Sequence, residues 1–109
     1  MNLKRGDLIV VAVSGDYGKP RPALIIQSDA FELIPSVTVA PLTSEIYDAP
    51  LLRVTVQASA ASGLRKVSQV MVDKITTVPR SKVGQRIGSV DPSTLRSVNH
   101  AIKGFFDLE

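Results

Sequence analysis

The chain has 109 residues, 44% of them hydrophobic, with thirteen Lys and Arg against ten Asp and Glu, a net charge of +3 and no cysteine. That length and apolar content suit one domain, residues 1–109, with a core of its own, and they exclude a disordered tail, a disulfide framework and a thiolate metal site. No stretch approaches the roughly 18 apolar residues of a membrane span and no cleavable leader precedes the first strand-like run, so a cytoplasmic protein is expected, whose mild basicity favours a polyanionic partner.

Lys4-Arg5-Gly6-Asp7 leads into Leu8-Ile9-Val10-Val11-Ala12-Val13, a continuous β-branched run that reads as a strand buried on both faces. Arg5-Gly6-Asp7 has the letters of an adhesion motif, but it abuts a strand instead of crowning an exposed loop. Ser14 to Lys19 is a turn-rich loop, and Arg21 through Gln27 is the returning strand of a hairpin. At the start of that strand, Pro20 and Pro22 fix φ on either side of Arg21 and bias Lys19 and Arg21 away from the α region. The guanidinium is therefore carried on a stiff, extended entrance. It serves either as a solvated residue at an edge-strand start or as a pre-positioned fork of donors for an anion. Tyr17, bracketed by Gly15 and Gly18, is either a plain surface residue or a platform on which an unpaired base stacks.

Ser28 to Ser36 is a loop or short helical turn ending at Pro35. Val37-Thr38-Val39-Ala40 is the third strand, expected to stop at Pro41, with Leu42-Thr43-Ser44 just past its end. Hydroxyls at a strand terminus either cap backbone groups or donate to a ligand oxygen. After Ala49-Pro50, Leu51 to Val56 alternates as a strand with one solvated face does. Gln57 to Lys66 is a small-residue connector. Val67 to Val72 is the next strand, continued past a kink by Ile75 to Val78. Pro79 to Gly84 suits a short helical turn, with Pro at its start and Gly at its end, and Gln85 to Val90 is the last strand. Asp91 is a good N-cap, Pro92 takes the first helical position, and Leu95, Val98, Ile102 and Phe105 recur at helical spacing, giving an amphipathic helix with one face on the sheet. His100 falls opposite that stripe, which exposes it and disqualifies it as a catalytic base.

A single histidine and no cysteine rule out a two-histidine ribonuclease and a zinc site, and no serine sits in a nucleophile elbow. No phosphate-cradling glycine loop occurs. Carboxylates are scattered without metal-ligand spacing. Phosphate chemistry on this chain would then need neither metal nor cofactor, and its tools would be Arg, Lys, hydroxyls and isolated Asp residues.

In their order along the chain, Lys4-Arg5-Gly6-Asp7, Arg21-Pro22-Ala23-Leu24-Ile25-Ile26, Val39-Ala40-Pro41-Leu42-Thr43-Ser44, Gly63-Leu64-Arg65-Lys66 and Val70-Met71-Val72-Asp73-Lys74-Ile75-Thr76-Thr77-Val78 resemble the MazF/PemK family of toxin endoribonucleases. The resemblance extends over nearly the whole chain. It implies a mainly β fold with α, an SH3-like barrel or strongly curved antiparallel sheet with short helices and the C-terminal amphipathic helix. It also implies a homodimer, with single-stranded RNA in a groove across it and a cognate antitoxin protein that neutralises it. The implied activity is sequence-specific, metal-independent cleavage of mRNA, in which the ribose 2′-OH attacks the adjacent phosphate to leave 2′,3′-cyclic phosphate and 5′-OH ends.

By the same resemblance Arg21 matches the family's catalytic Arg and Thr43 its catalytic hydroxyl. Arg21 would stabilise charge growing on the non-bridging oxygens, and Thr43 would add a hydrogen bond. Arg21 is no base, since its pKa stays above about 12. Relatives draw a carboxylate from the loop before the Arg-Pro motif or from an Arg-x-Asp pair. Here Asp16 and Asp73 stand at those places, with a short first loop and Met71 where the pair's Arg would be. Lys19, Tyr17, Ser44, Arg53, Arg65, Lys66, Lys74 and Arg80 complete the expected RNA-binding set. A rival reading of the same fold is a CcdB-like gyrase poison, which Val78-Pro79, Val83-Gly84 and Asn99 to Phe106 resemble. That group relies on a C-terminal Trp-Gly-Ile, and this chain has no Trp and ends Phe106-Asp107-Leu108-Glu109. A third reading is a non-catalytic SH3-like module that binds RNA or a peptide.

Overall fold

The computed structural model describes residues 2–12 and 19–109. Its strands are β1 (Asp7–Ala12), β2 (Pro20–Ile25), β3 (Ser36–Thr43), β4 (Arg53–Val56), β5 (Ser68–Met71), β6 (Thr76–Pro79) and β7 (Val83–Ser89), followed by one α-helix, α1 (Pro92–Phe105). All pair antiparallel, in the order β4-β5-β3-β2-β1-β7, with β6 also on β3. The path runs from one edge, β4, to another, β7, without closing, so the curved-sheet form of the expectation is the one realised. β1 and β2 form the expected hairpin, with Val11 beside Arg21.

The strand β1 is buried on both faces, as its unbroken apolar run requires. Leu8 joins Leu24, Leu42, Val70, Val72, Val98 and Ala101 in one core cluster. Ile9 and Val11 point the other way, to Ile25, Val37, Val39 and Val78. Each such side chain withdrawn from water contributes roughly 1.5–3 kcal/mol before the entropy of ordering is subtracted. The helix α1 closes the first cluster with Val98 and Ala101, and Asp91 caps it by accepting from the Thr94 N–H at 2.7 Å. Phe105, placed by its spacing on the packed stripe, is instead 47% exposed at the last residue of the helix.

Several boundaries depart from the sequence expectation. β3 does not stop at Pro41 but runs on to Thr43. On the edge away from β2, Pro41 falls between the stretch paired with β6, Ser36 to Val39, and the stretch paired with β5, Leu42 to Thr43, so its missing N–H leaves no ladder donor absent. Leu51 and Leu52 precede β4 in a turn closed by N–H donations from Leu52 and Arg53 to the Ala49 carbonyl. Val67 lies outside β5, and Val72 to Lys74 forms a short 3-10 turn between β5 and β6. The expected turn after Pro79 is a 3-10 turn, Arg80–Lys82, but Gly84 belongs to β7, which starts at Val83. There β7 bulges against β1: Ile9 pairs with Arg86 and Val11 with Val83, which leaves an extra residue on β7.

The Arg5-Gly6-Asp7 triplet is a clasp. Arg5 donates from Nε to the Ile26 carbonyl, from Nη2 to Asn99 Oδ1 and from its backbone N–H to Asp29 Oδ1, tying the entrance of β1 to the end of β2, to α1 and to the turn after β2. Gly6 has φ +95°, where a side chain would be strained. Asp7 is buried, accepts from the Lys4 N–H and pairs with Arg86 Nε at 3.1 Å. None of the three letters is presented at a loop tip.

Candidate functional site

β2 and β3 pair through Ala23 and Pro41, Leu24 and Ala40, and Ile25 and Val39. Past the end of that ladder, Arg21 of β2 and Thr43 of β3 both line one groove of about 550 Å³. The groove is completed by Ser44, by Leu64, Arg65 and Lys66 of the connector, by Ser68 of β5 and by Gln85 and Ile87 of β7. Three cations, Arg21, Arg65 and Lys66, line it, and among its described lining residues there is no carboxylate. A concave surface with one sign of charge and hydroxyls on its floor suits a polyanion.

The connector that carries Arg65 and Lys66 is a built loop despite its bland composition. The buried Ser62 hydroxyl accepts from the Ser59 and Leu64 N–H groups and donates to the Gln57 carbonyl. The Ser89 N–H of β7 donates to the Ala61 carbonyl. Gly63 has φ +72°, and a Cβ there would fall 1.9 Å from the Ile87 carbonyl oxygen, so the loop backbone lies directly on β7. A further bond, from Ser68 Oγ to the Lys66 carbonyl, fixes the loop's exit into β5.

Thr43 Oγ1 accepts from the Glu45 N–H at 3.1 Å, so its hydroxyl caps the turn after β3 while lining the groove. Of the two roles open to it in the sequence, capping is realised and donation stays available, because a hydroxyl has a proton to give as well as lone pairs.

The other expected residues are distributed as follows. Lys19 is exposed next to Pro20. Asp16 and Tyr17 lie outside the described residues. Arg53 and Asp73 form an ion pair, Nε to Oδ1 at 3.1 Å and Nη2 to Oδ2 at 3.4 Å, with the Arg53 guanidinium 5.4 Å from the Tyr47 ring centre. Burial pushes the Asp73 carboxyl up, but the hydrogen bond from Arg53, its own backbone and the charges of Arg53 and Lys74 outweigh this and hold it below its ordinary value. The Lys74 ammonium is 3.8 Å from Asp73 and exposed. Arg80 donates to the Ile34 carbonyl on the far side of β3. The groove thus gathers Arg21, Thr43, Ser44, Arg65 and Lys66, and it does not gather Arg53, Asp73, Lys74 or Arg80. Gln85 and Ser68, not singled out from the sequence, join it. The bulge in β7 places Gln85 there, and a bulge has no signature in a single sequence beyond the neighbouring Gly84.

A family model described as the PemK-like, MazF-like toxin of type II toxin–antitoxin systems matches residues 4–106. A probable endoribonuclease MazF of Mycolicibacterium smegmatis is 44% identical over 107 residues, covering 97% of this chain and 98% of that one. The solved Mycobacterium tuberculosis toxin MazF-mt6 superposes with a TM-score of 0.82 at 29% identity, over 94% of this chain and 98% of that chain. A mycobacterial endoribonuclease solved in complex with its cognate antitoxin shares the fold, with a TM-score of 0.80 at 22% identity over 99% and 98% of the two chains.

Proposed function

Because the chain belongs to the PemK-like, MazF-like toxins of type II toxin–antitoxin systems, we propose that it is an endoribonuclease whose groove between β2, β3 and the connector receives single-stranded RNA. The observation that carries this reading is one groove lined together by Arg21, Thr43, Ser44, Arg65 and Lys66. Relatives named as endoribonucleases, one of them matching almost end to end, favour it over a gyrase poison.

In the proposed reaction the ribose 2′-OH attacks the adjacent phosphorus, the P–O5′ bond breaks, and a 2′,3′-cyclic phosphate and a 5′-OH remain. Negative charge grows on the non-bridging oxygens as the new bond forms. Arg21 is carried between prolines that limit its backbone freedom, so its donors meet that charge with little reorganisation. Thr43 donates a hydrogen bond to a phosphate oxygen, keeping its proton, while its own oxygen accepts from the Glu45 N–H. Arg65 and Lys66 hold flanking phosphates, and Ser44 lies beside Thr43 for a further hydrogen bond. Asp73 is a poor candidate for the proton acceptor: it is occupied by Arg53, and its lowered pKa makes it a weaker base. Nothing in this scheme requires a metal ion, and no three His, Asp or Glu side chains gather to hold one among the described residues. No helix among the described residues is long and apolar enough to cross a membrane. The protein acts on cytoplasmic mRNA as a homodimer and is neutralised by a cognate antitoxin protein.

The test is cleavage of a long single-stranded RNA in EDTA with mapping of ends, beside the same oligonucleotide carrying deoxyribose at the scissile nucleotide. Cutting of the first and not the second is expected, since the nucleophile is absent from the second. Arg21→Ala should remain folded and lose about 10²–10³-fold in rate, the scale of one preorganised charge-stabilising donor. Undiminished cutting by the folded variant, or cutting of the deoxy substrate, refutes the mechanism.

A further inference from the structure

Gln69 lies in β5 with only 4% of its surface exposed, paired in register with Thr43 of β3. A buried amide on a strand must satisfy both ends of its side chain. Gln69 satisfies both on one residue: Oε1 accepts from the Tyr47 N–H at 3.1 Å and Nε2 donates to the Tyr47 carbonyl at 2.9 Å. That is the hydrogen-bonding pattern of a strand partner, supplied by a side chain to a segment that has no strand of its own.

The clamped segment leads straight back to the groove. Tyr47 lies four residues past Thr43, and its hydroxyl donates to Glu45 Oε2 at 3.1 Å. Glu45 in turn gives its backbone N–H to Thr43 Oγ1. With one lone pair engaged by the Glu45 N–H, the Thr43 hydroxyl keeps its proton to give, and Thr43 lines the groove. We propose that Gln69 is a positioning residue for the reaction: by clamping Tyr47 it fixes the turn whose Glu45 N–H orients the Thr43 hydroxyl toward the scissile phosphate. The inference rests on the reading of Thr43 as part of the RNA site. Gln69 itself touches no RNA in this scheme.

The experiment is single-turnover cleavage by Gln69→Leu and Gln69→Glu, each made in the wild-type and in the Thr43→Ala background, with RNA affinity measured separately. Gln69→Leu removes both bonds at similar volume. Gln69→Glu keeps the acceptor for the Tyr47 N–H and sets a carboxylate oxygen against the Tyr47 carbonyl. Both variants should lose tenfold or more in rate with affinity unchanged within twofold, since Arg21, Arg65 and Lys66 are untouched. In the Thr43→Ala background neither should lower the residual rate further. Amide exchange at Glu45 and Tyr47 should quicken in Gln69→Leu. A wild-type rate in the folded variants, an equal loss in both backgrounds, or failure of both variants to fold overturns the proposal, the last by showing that Gln69 serves the core alone. If the wild-type protein cuts no RNA, the endoribonuclease reading itself has failed, and that outcome is distinct from the others.

Discussion

Arg21, expected to be catalytic, and Arg53, expected to bind RNA, are given different surroundings by the fold. Arg21 lines the groove with Thr43, Arg65 and Lys66, and Arg53, its side chain 12% exposed, pairs with Asp73. A guanidinium that far from water needs its carboxylate, because removing one partner leaves the other charge uncompensated. Asp73→Asn is therefore expected to cost about 2 kcal/mol at neutral pH. The pH dependence follows from the lowered carboxyl pKa. A depressed folded-state value contributes stability that is fully present above the unfolded value, near 3.9, and is lost as pH falls through the folded value. The gap between wild type and Asp73→Asn in urea midpoint should thus be constant from pH 7 down to about 5 and close below about pH 4. A gap that persists unchanged at the acid end would show that the pair does not carry it.

Among the elements, the connector between β4 and β5 is the one whose placement the groove depends on. It holds Arg65 and Lys66 because its backbone lies against β7 at Gly63 and Gly88, where an added Cβ would meet the Ile87 carbonyl oxygen at 1.9 Å and the Ser62 carbonyl oxygen at 2.3 Å. Both neighbours are backbone and have no rotamer by which to retreat. Gly63 also needs its positive φ. Gly63→Ala is expected to destabilise the protein by about 2–3 kcal/mol, from strain and overpacking together, and to weaken RNA binding in the fraction that remains folded. Thermal melts and affinity at a temperature well below the transition check both parts. An alanine variant that melts with wild type would mean the connector can lift off β7 at no cost.

At the scale of the whole molecule the groove's charge makes a quantitative demand. If Arg21, Arg65 and Lys66 each neutralise one phosphate, the log of RNA affinity should fall against log salt with a slope of about −2, at roughly −0.7 per phosphate on a single strand. Arg65→Ala or Lys66→Ala should each make that slope shallower by about 0.7 and weaken RNAs of differing sequence alike. A slope near zero would indicate binding through bases rather than backbone. Arg53 and Arg80, held elsewhere by Asp73 and the Ile34 carbonyl, should leave the slope unchanged when replaced.

The sequence alone determined whatever depends on neighbours along the chain. An unbroken β-branched run gave β1, a turn-rich loop before an apolar return gave β2, Asp91 and Pro92 gave the start of α1, and the prolines about Arg21 marked a stiff, extended arginine, because turns, capping and φ restriction act over one to four residues. The order of its motifs also carried the family and, with it, the expectation that Arg21 and Thr43 share a site, and both line the groove. Only the tertiary structure decided which cations share the groove, that Pro41 sits inside a strand, that Arg5-Gly6-Asp7 is a clasp and that Gln69 holds the turn behind Thr43. These depend on register and on which strand lies beside which. A proline is harmless where no partner needs its N–H, a glutamine clamps only what the fold brings opposite it, and Arg53 is a structural ion because the fold sets Asp73 beside it.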